Sequence, residues 1–238
     1  MPPPPPPQAE EQPTIGPFPV KLQDVARDGD CFFNSIIQAS RNQGILHVLE
    51  ACIQRPATIQ NLRNFTSDTI PEDTINGLFD SLYTNYKPNI SLPNIERTQQ
   101  LNTYKLLKES LSGWHVTAFE NSVNNTGTRE LAKAEFYKRI KAGIKEMTQW
   151  ADQIEVTHLI TILGGCNINI NIYYTETPGE LYKKDNGVYQ IHLFNERTVH
   201  YQFFKFTTRG GKRITYRNRK TRKQQQTRKH KQTRKSRN

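Results

Sequence analysis

Asp28-Gly29-Asp30-Cys31 stands directly before a run, Cys31 to Ser40, in which Phe32, Phe33, Ile36 and Ile37 recur at the spacing of one helix face. The spacing predicts an amphipathic helix that starts at the cysteine, with Asp30 as its N-cap. A thiol in that position faces unpaired backbone N–H groups and the positive end of the helix dipole. Both favour the thiolate and, with a cationic histidine nearby, lower a cysteine pKa from about 8.5 to roughly 3.5–7.5. The same N–H groups, bent by Gly29, can hold the oxyanion of a tetrahedral intermediate. A single cysteine is more often a buried structural residue than a nucleophile. Cys52, within an apolar helical run, and Cys166, between a Gly-Gly turn and a strand, keep that plainer reading, because no helix follows either one to activate it.

A cysteine nucleophile needs a base, and six histidines are available: His47, His115, His158, His192, His200 and His230. His230 lies in a basic tail, and His47 and His115 have no acid or strand context that would orient them. His158 follows Glu155 at i+3, but a metal site needs a second such pair, so neither a metal nor a cofactor is expected. His200 differs: it falls on a final strand where Val199, Tyr201 and Phe203 point one way and His200 and Gln202 the other. Gln202 thus shares the histidine's face and is a candidate orienter, able to accept the Nδ1–H bond and fix the tautomer.

Asp28-Gly29-Asp30-Cys31-Phe32-Phe33-Asn34-Ser35 resembles the nucleophile signature of the OTU (ovarian tumour) family of cysteine proteases. Trp150-Ala151-Asp152-Gln153-Ile154-Glu155 resembles that family's Trp-Gly/Ala-x-x-x-Glu block. Ile191-His192-Leu193 leading to His200-Tyr201 resembles its closing hairpin. The three blocks stand in the family's order. The resemblance implies an α+β, papain-like fold with helices flanking a small, mostly antiparallel sheet, and cleavage of the isopeptide bond after the C-terminal glycine of ubiquitin or a ubiquitin-like modifier. It also implies Cys31 as nucleophile, His200 as general base and Asp28 as the acidic residue whose loop shapes the oxyanion hole. The family usually places Asp or Asn two residues after the histidine. Gln202 departs from that, so Asp24 or Asn195 are alternative orienters.

The elements that must position these residues are legible in outline. Phe136, Ile140, Ile144 and Met147 form a helical stripe within Arg129 to Thr148; Val156, Leu159, Ile160 and Leu163 form another, ended by Gly164-Gly165. Ile168, Ile170 and Ile172 then alternate with asparagines, and Val188 to Phe194 and Val199 to Phe206 read as strands joined by a loop at Asn195 to Thr198. The stretch from Ile53 to Asn94 reads only as short helices and loops.

The chain divides into a Pro-rich arm (1–19), a catalytic domain (20–207) and a basic low-complexity tail (208–238), both arms expected to be disordered. The net charge is +11, but 14 Lys/Arg and no acid lie from Thr208 onward, leaving residues 1–207 with 19 bases against 22 acids. Nucleic-acid contact is therefore expected of the tail alone. Three cysteines without a CxxC pair predict no disulfide and a reducing compartment. With no signal-like or membrane-spanning run, a cytoplasmic monomer is expected, with entry to the nucleus through the tail. The competing functions are an inactive ubiquitin binder and a nucleic-acid-associated protein acting through the tail.

Overall fold

The computed structural model describes residues 14–15, 18–86, 91–174, 189–196 and 200–206. Helix α1 (Cys31–Gln43) begins at the cysteine and buries Phe32, Phe33, Ile36 and Ile37. It stops at Gly44, whose φ of 72° is left-handed; that glycine's N–H caps the carbonyls of Ser40 and Arg41. Helices α2 (Leu46–Ile53) and α3 (Ile59–Thr69) pack beside it.

Helix α4 (Glu72–Tyr86) follows, so the segment read as short helices and loops holds two substantial helices, of 11 and 15 residues. The buried face of α3 explains the difference. It consists of Leu62, Arg63, Thr66 and Ser67, so three of its four members are polar and give no apolar period. Helices α5 (Asn94–Ser110), α6 (Gly113–Asn124) and α7 (Arg129–Lys145) come next. The stripe of α7 is Ala132, Phe136, Ile140 and Ile144; Met147 lies beyond the helix end and is exposed. Helix α8 (Gln153–Gly165) opens on a capping box formed by Asp152 and Glu155 and takes in both Gly164 and Gly165.

Strands β2 (Phe18–Gln23), β3 (Ile168–Tyr174), β4 (Tyr189–Glu196) and β5 (His200–Phe206) form a sheet in the order β2-β5-β4-β3. The two-residue β1 (Thr14–Ile15) lies on the outer edge of β2. The sheet is mixed: β3 and β4 run parallel, and the other three pairings are antiparallel. Strand β2 starts at Phe18, inside the segment assigned to the N-terminal arm; residues 1–13 and 207–238, and with them most of both arms, lie outside the described residues. Asn195 and Glu196, expected in a loop, end β4. The alternation read on β3 is not one of burial, since Asn169 and Asn171 are as buried as the isoleucines between them. Asn171 reaches Gln190 of β4 with a 2.9 Å hydrogen bond.

Two apolar cores result. One lies between the sheet and α1, α2, α3 and α8. The other joins α4, α6 and α7 around Phe79, Phe119 and Phe136, whose ring centroids are 5.6–6.0 Å apart. No helix among the described residues is long and apolar enough to cross a membrane.

The expectation of no disulfide is wrong. Cys52, in the last turn of α2, is bonded to Cys166 at the α8–β3 junction, across 114 residues of sequence. Each is a singleton in sequence, and only the packing of α2 near the start of β3 brings the two sulfurs together. Closing so long a loop restricts the unfolded chain. Cys52→Ser and Cys166→Ser are therefore each expected to lower stability by about 2–4 kcal/mol, and the double variant by no more than either single, in a denaturant titration.

Candidate active site

Cys31 is the only free cysteine of the three, at the first position of α1 and 1 % exposed. The loop before it is clasped by Asp28: its carboxylate accepts the Asp30 N–H at 3.0 Å and its carbonyl accepts the Cys31 N–H at 3.2 Å. Gly29 serves close packing here, because a Cβ on it would lie 1.8 Å from the carbonyl oxygen of Thr148. The backbone leading into the Trp150 block therefore crosses directly over the loop before Cys31.

Asp30 occupies the N-cap position, but its side chain makes no capping bond. It accepts instead from Arg63 Nε at 2.7 Å and from the Thr148 N–H at 3.2 Å. Arg63 is 1 % exposed, and its guanidinium also donates to the carbonyls of Gly29, Ile144 and Gln149 while lying 4.6 Å from the centre of the Phe33 ring. Sequence reasoning missed this residue; its one signal is an arginine on the inward face of α3.

Strand β5 begins against the thiol. The N–H of Tyr201 points at Cys31 Sγ at 3.5 Å, Ser35 Oγ of α1 donates to the Tyr201 carbonyl at 3.0 Å, and the rings of Phe32 and Tyr201 lie 4.9 Å apart. His200 is the residue before Tyr201 and the first of β5. Burial pushes the Cys31 thiol above the ordinary cysteine range, and the charge of Asp28 adds to this; the N–H groups of Tyr201, Phe32 and Cys31 pull the other way. The lowering expected from a helix N-terminus is present but smaller than the cost of desolvation.

The imidazole of His200 binds Asp24, at the end of β2, through Nε2 at 2.6 Å. A carboxylate only accepts, so Nε2 carries the proton and Nδ1 is left as the basic nitrogen; it is buried and has no hydrogen-bond partner. Gln202 shares the histidine's face, as expected, but its amide donates to Asp24 Oδ1 at 3.0 Å and does not bond His200. The Val25 N–H is a third donor to the same oxygen, at 3.0 Å. The His200 bond foremost, and then that of Gln202, hold the Asp24 carboxyl below the usual carboxylate range. Of the three candidate orienters, Asp24 touches the imidazole, Gln202 supports Asp24, and Asn195 is buried on β4.

Two of the other histidines, His192 and His115, have partners of their own. His192 is buried on β4, where the Tyr173 hydroxyl meets its Nδ1 at 2.8 Å and desolvation lowers its pKa to about 4. His115, expected to lack an acidic partner, is fully buried with Nε2 2.9 Å from Glu155 and Nδ1 3.4 Å from Asp152. That contact spans 40 residues and ties α6 to the capping box of α8. No group of three or more metal-binding side chains occurs among the described residues.

No family model matches the sequence, and no curated protein matches it. Among solved structures, the chain is similar to an OTU deubiquitinase from Wolbachia pipientis wMel, with 14% identity over 90% of this chain and 99% of that one and a TM-score of 0.39. It is also similar to viral OTU domain proteases from Dera Ghazi Khan virus (12% identity, 84% of this chain and 88% of that one, TM-score 0.34) and Farallon virus (13%, 79% and 85%, 0.34).

Proposed function

We propose that the protein is a cysteine-dependent deubiquitinase that hydrolyses the isopeptide bond after the C-terminal glycine of ubiquitin or a ubiquitin-like modifier. The observation that carries this reading is the chain of contacts from Asp24 through His200 to the start of β5, whose Tyr201 amide touches the Cys31 sulfur. In this reading His200 Nδ1 takes the thiol proton as sulfur attacks the carbonyl carbon, and the developing oxyanion meets the amides of the loop that Asp28 clasps. The imidazolium then protonates the departing lysine amine, and water hydrolyses the thioester. Asp24 holds the ring in the tautomer this requires.

Burial of Cys31 favours one other reading, a ubiquitin binder with a thiol that does not react. A ubiquitin whose C-terminus carries a cysteine-directed electrophile separates the two. Covalent capture that is lost in Cys31→Ala supports the enzyme, and reversible binding without capture supports the binder. Nucleic-acid contact through residues 208–238 concerns a segment outside the described residues.

The orienter is tested separately. Asp24→Ala is expected to lower kcat by about 10²-fold with little change in KM, because ring orientation matters in the transition state and hardly at all for binding the ubiquitin body. Gln202→Ala, which removes one donor to Asp24 and leaves the carboxylate in place, should cost no more than about tenfold. A larger loss at Gln202 than at Asp24 in steady-state kinetics would reverse their roles.

A further inference from the structure

Gln60, Arg63 and Ser67 lie along one face of α3 and donate to backbone carbonyls at the end of α7, those of Lys145, Ile144 and Lys141. The last four carbonyls of a helix have no partner inside it, and those of Ile144 and Lys145 find theirs on α3. Arg63 goes further. Its guanidinium donates to the Gly29 carbonyl at 2.9 Å and to that of Gln149, while Nε holds Asp30 at 2.7 Å. The peptide between Gly29 and Asp30 is trans, so its carbonyl and its N–H point in opposite directions. With the carbonyl turned onto Arg63, the Asp30 N–H is turned the other way, where the Asp28 carboxylate accepts it at 3.0 Å. That carboxylate stands within electrostatic reach of the Cys31 thiol. One buried guanidinium thus sets which way this peptide faces.

The backbone on the far side of the loop is strained. Thr148 has φ 67°, in the left-handed region that a β-branched residue rarely adopts. Its N–H donates to Asp30 Oδ2 at 3.2 Å, and its carbonyl lies where a Cβ on Gly29 would stand. Strain of that kind persists only where the surroundings over-determine the backbone, and it gathers at functional sites.

We propose that Arg63 is a positioning residue for hydrolysis at Cys31: through the Gly29 carbonyl it keeps the amides of the 28–31 loop turned toward the carbon under attack. This rests on the reading of Cys31 as nucleophile. Arg63 acts on the backbone of the loop and not on the thiol. Loss of its hold frees the peptide between Gly29 and Asp30 to turn over, which sets a carbonyl oxygen where the developing oxyanion needs a donor. The effect is confined to steps in which negative charge develops on the substrate oxygen. Attack of the same sulfur on a saturated carbon develops none there and does not need the loop amides.

The test uses the full chain carrying Arg63→Lys. Lysine keeps a positive charge beside Asp30, but a single ammonium cannot span Asp30 and three carbonyls as the guanidinium fork does. Turnover of ubiquitin-aminocoumarin is compared with alkylation of Cys31 by a ubiquitin ending in a 2-bromoethylamide, where sulfur displaces bromide at a saturated carbon. Both are read at a temperature at which a thermal melt shows the variant folded. The expected result is a split: kcat falls by about 10²-fold, while KM stays within about twofold and the alkylation rate within about threefold of wild type. The double variant Arg63→Met with Asp30→Asn, which strands no carboxylate, should show the same split. Unchanged kcat in either folded variant, or kcat and alkylation falling together, overturns the proposal and leaves the deubiquitinase reading standing. Failure of both variants to fold makes Arg63 a residue of the fold alone and likewise overturns it. A wild type that does not turn over ubiquitin-aminocoumarin overturns the deubiquitinase reading and this proposal with it.

Discussion

Cys31→Ala and His200→Ala are each expected to lower turnover of a ubiquitin substrate by about 10⁴-fold or more, and the double variant should be little worse than either single, because nucleophile and base act as one unit. Neither change should unfold the protein. Removing the Cys31 sulfur gives up one long contact with the Tyr201 amide, while Ser35 and the Phe32 ring continue to hold β5 against α1. Removing the His200 imidazole frees Asp24, whose side chain is 61% exposed and is solvated by water instead, so no buried charge is left unpaired. The measurement is kcat on ubiquitin-aminocoumarin beside a thermal melt of each variant. Wild-type turnover in Cys31→Ala would end the nucleophile assignment, and wild-type turnover in His200→Ala would end that of the base.

Arg63→Met should have the largest effect on stability of any single change away from the two cores, about 3–5 kcal/mol in a denaturant titration. Its guanidinium pairs with Asp30, whose side chain is 6% exposed, and satisfies three backbone carbonyls besides. Replacing it with an apolar side chain of similar length leaves an ionised carboxylate in a site that cannot solvate it. Asp30→Asn in the same chain removes the stranded charge, so the double variant should be more stable than Arg63→Met alone. Equal stability of the two would show that the lost carbonyl contacts, and not the carboxylate, dominate. Because Gly29 and Asp30 immediately precede Cys31, Arg63→Met should also reduce the rate of capture by a ubiquitin electrophile under conditions where the variant remains folded.

What could be read from the residues alone was local. The helix that starts at Cys31 and the shared face of His200 and Gln202 follow from spacings of one to four residues, and both occur as expected. The contacts that complete the site are long-range. Asp24 meets His200 across 176 residues, and Arg63 meets Asp30 across 33. Neither distance leaves a periodic trace, so Asp24 stood only as an alternative and Arg63 was not singled out. Gln202 was in the right place for the wrong bond: strand alternation says which face a side chain shares, but not which of two neighbours on that face it will reach. His115 shows the same gap, since its carboxylate partners sit on the turn that opens α8.

The Cys52–Cys166 bond sets opposing demands on sulfur within one small domain. In the proposed reaction Cys31 acts only as a thiol, whereas its two fellow cysteines hold α2 to the start of β3 only when oxidised. A reductant strong enough to keep the nucleophile free can also open the staple, and one too weak to open the staple can leave the nucleophile oxidised. Activity plotted against the ratio of reduced to oxidised glutathione should therefore rise and then fall, with the falling side tracking loss of the Cys52–Cys166 bond. The window between those two potentials defines the redox environment in which this chain is both folded and active.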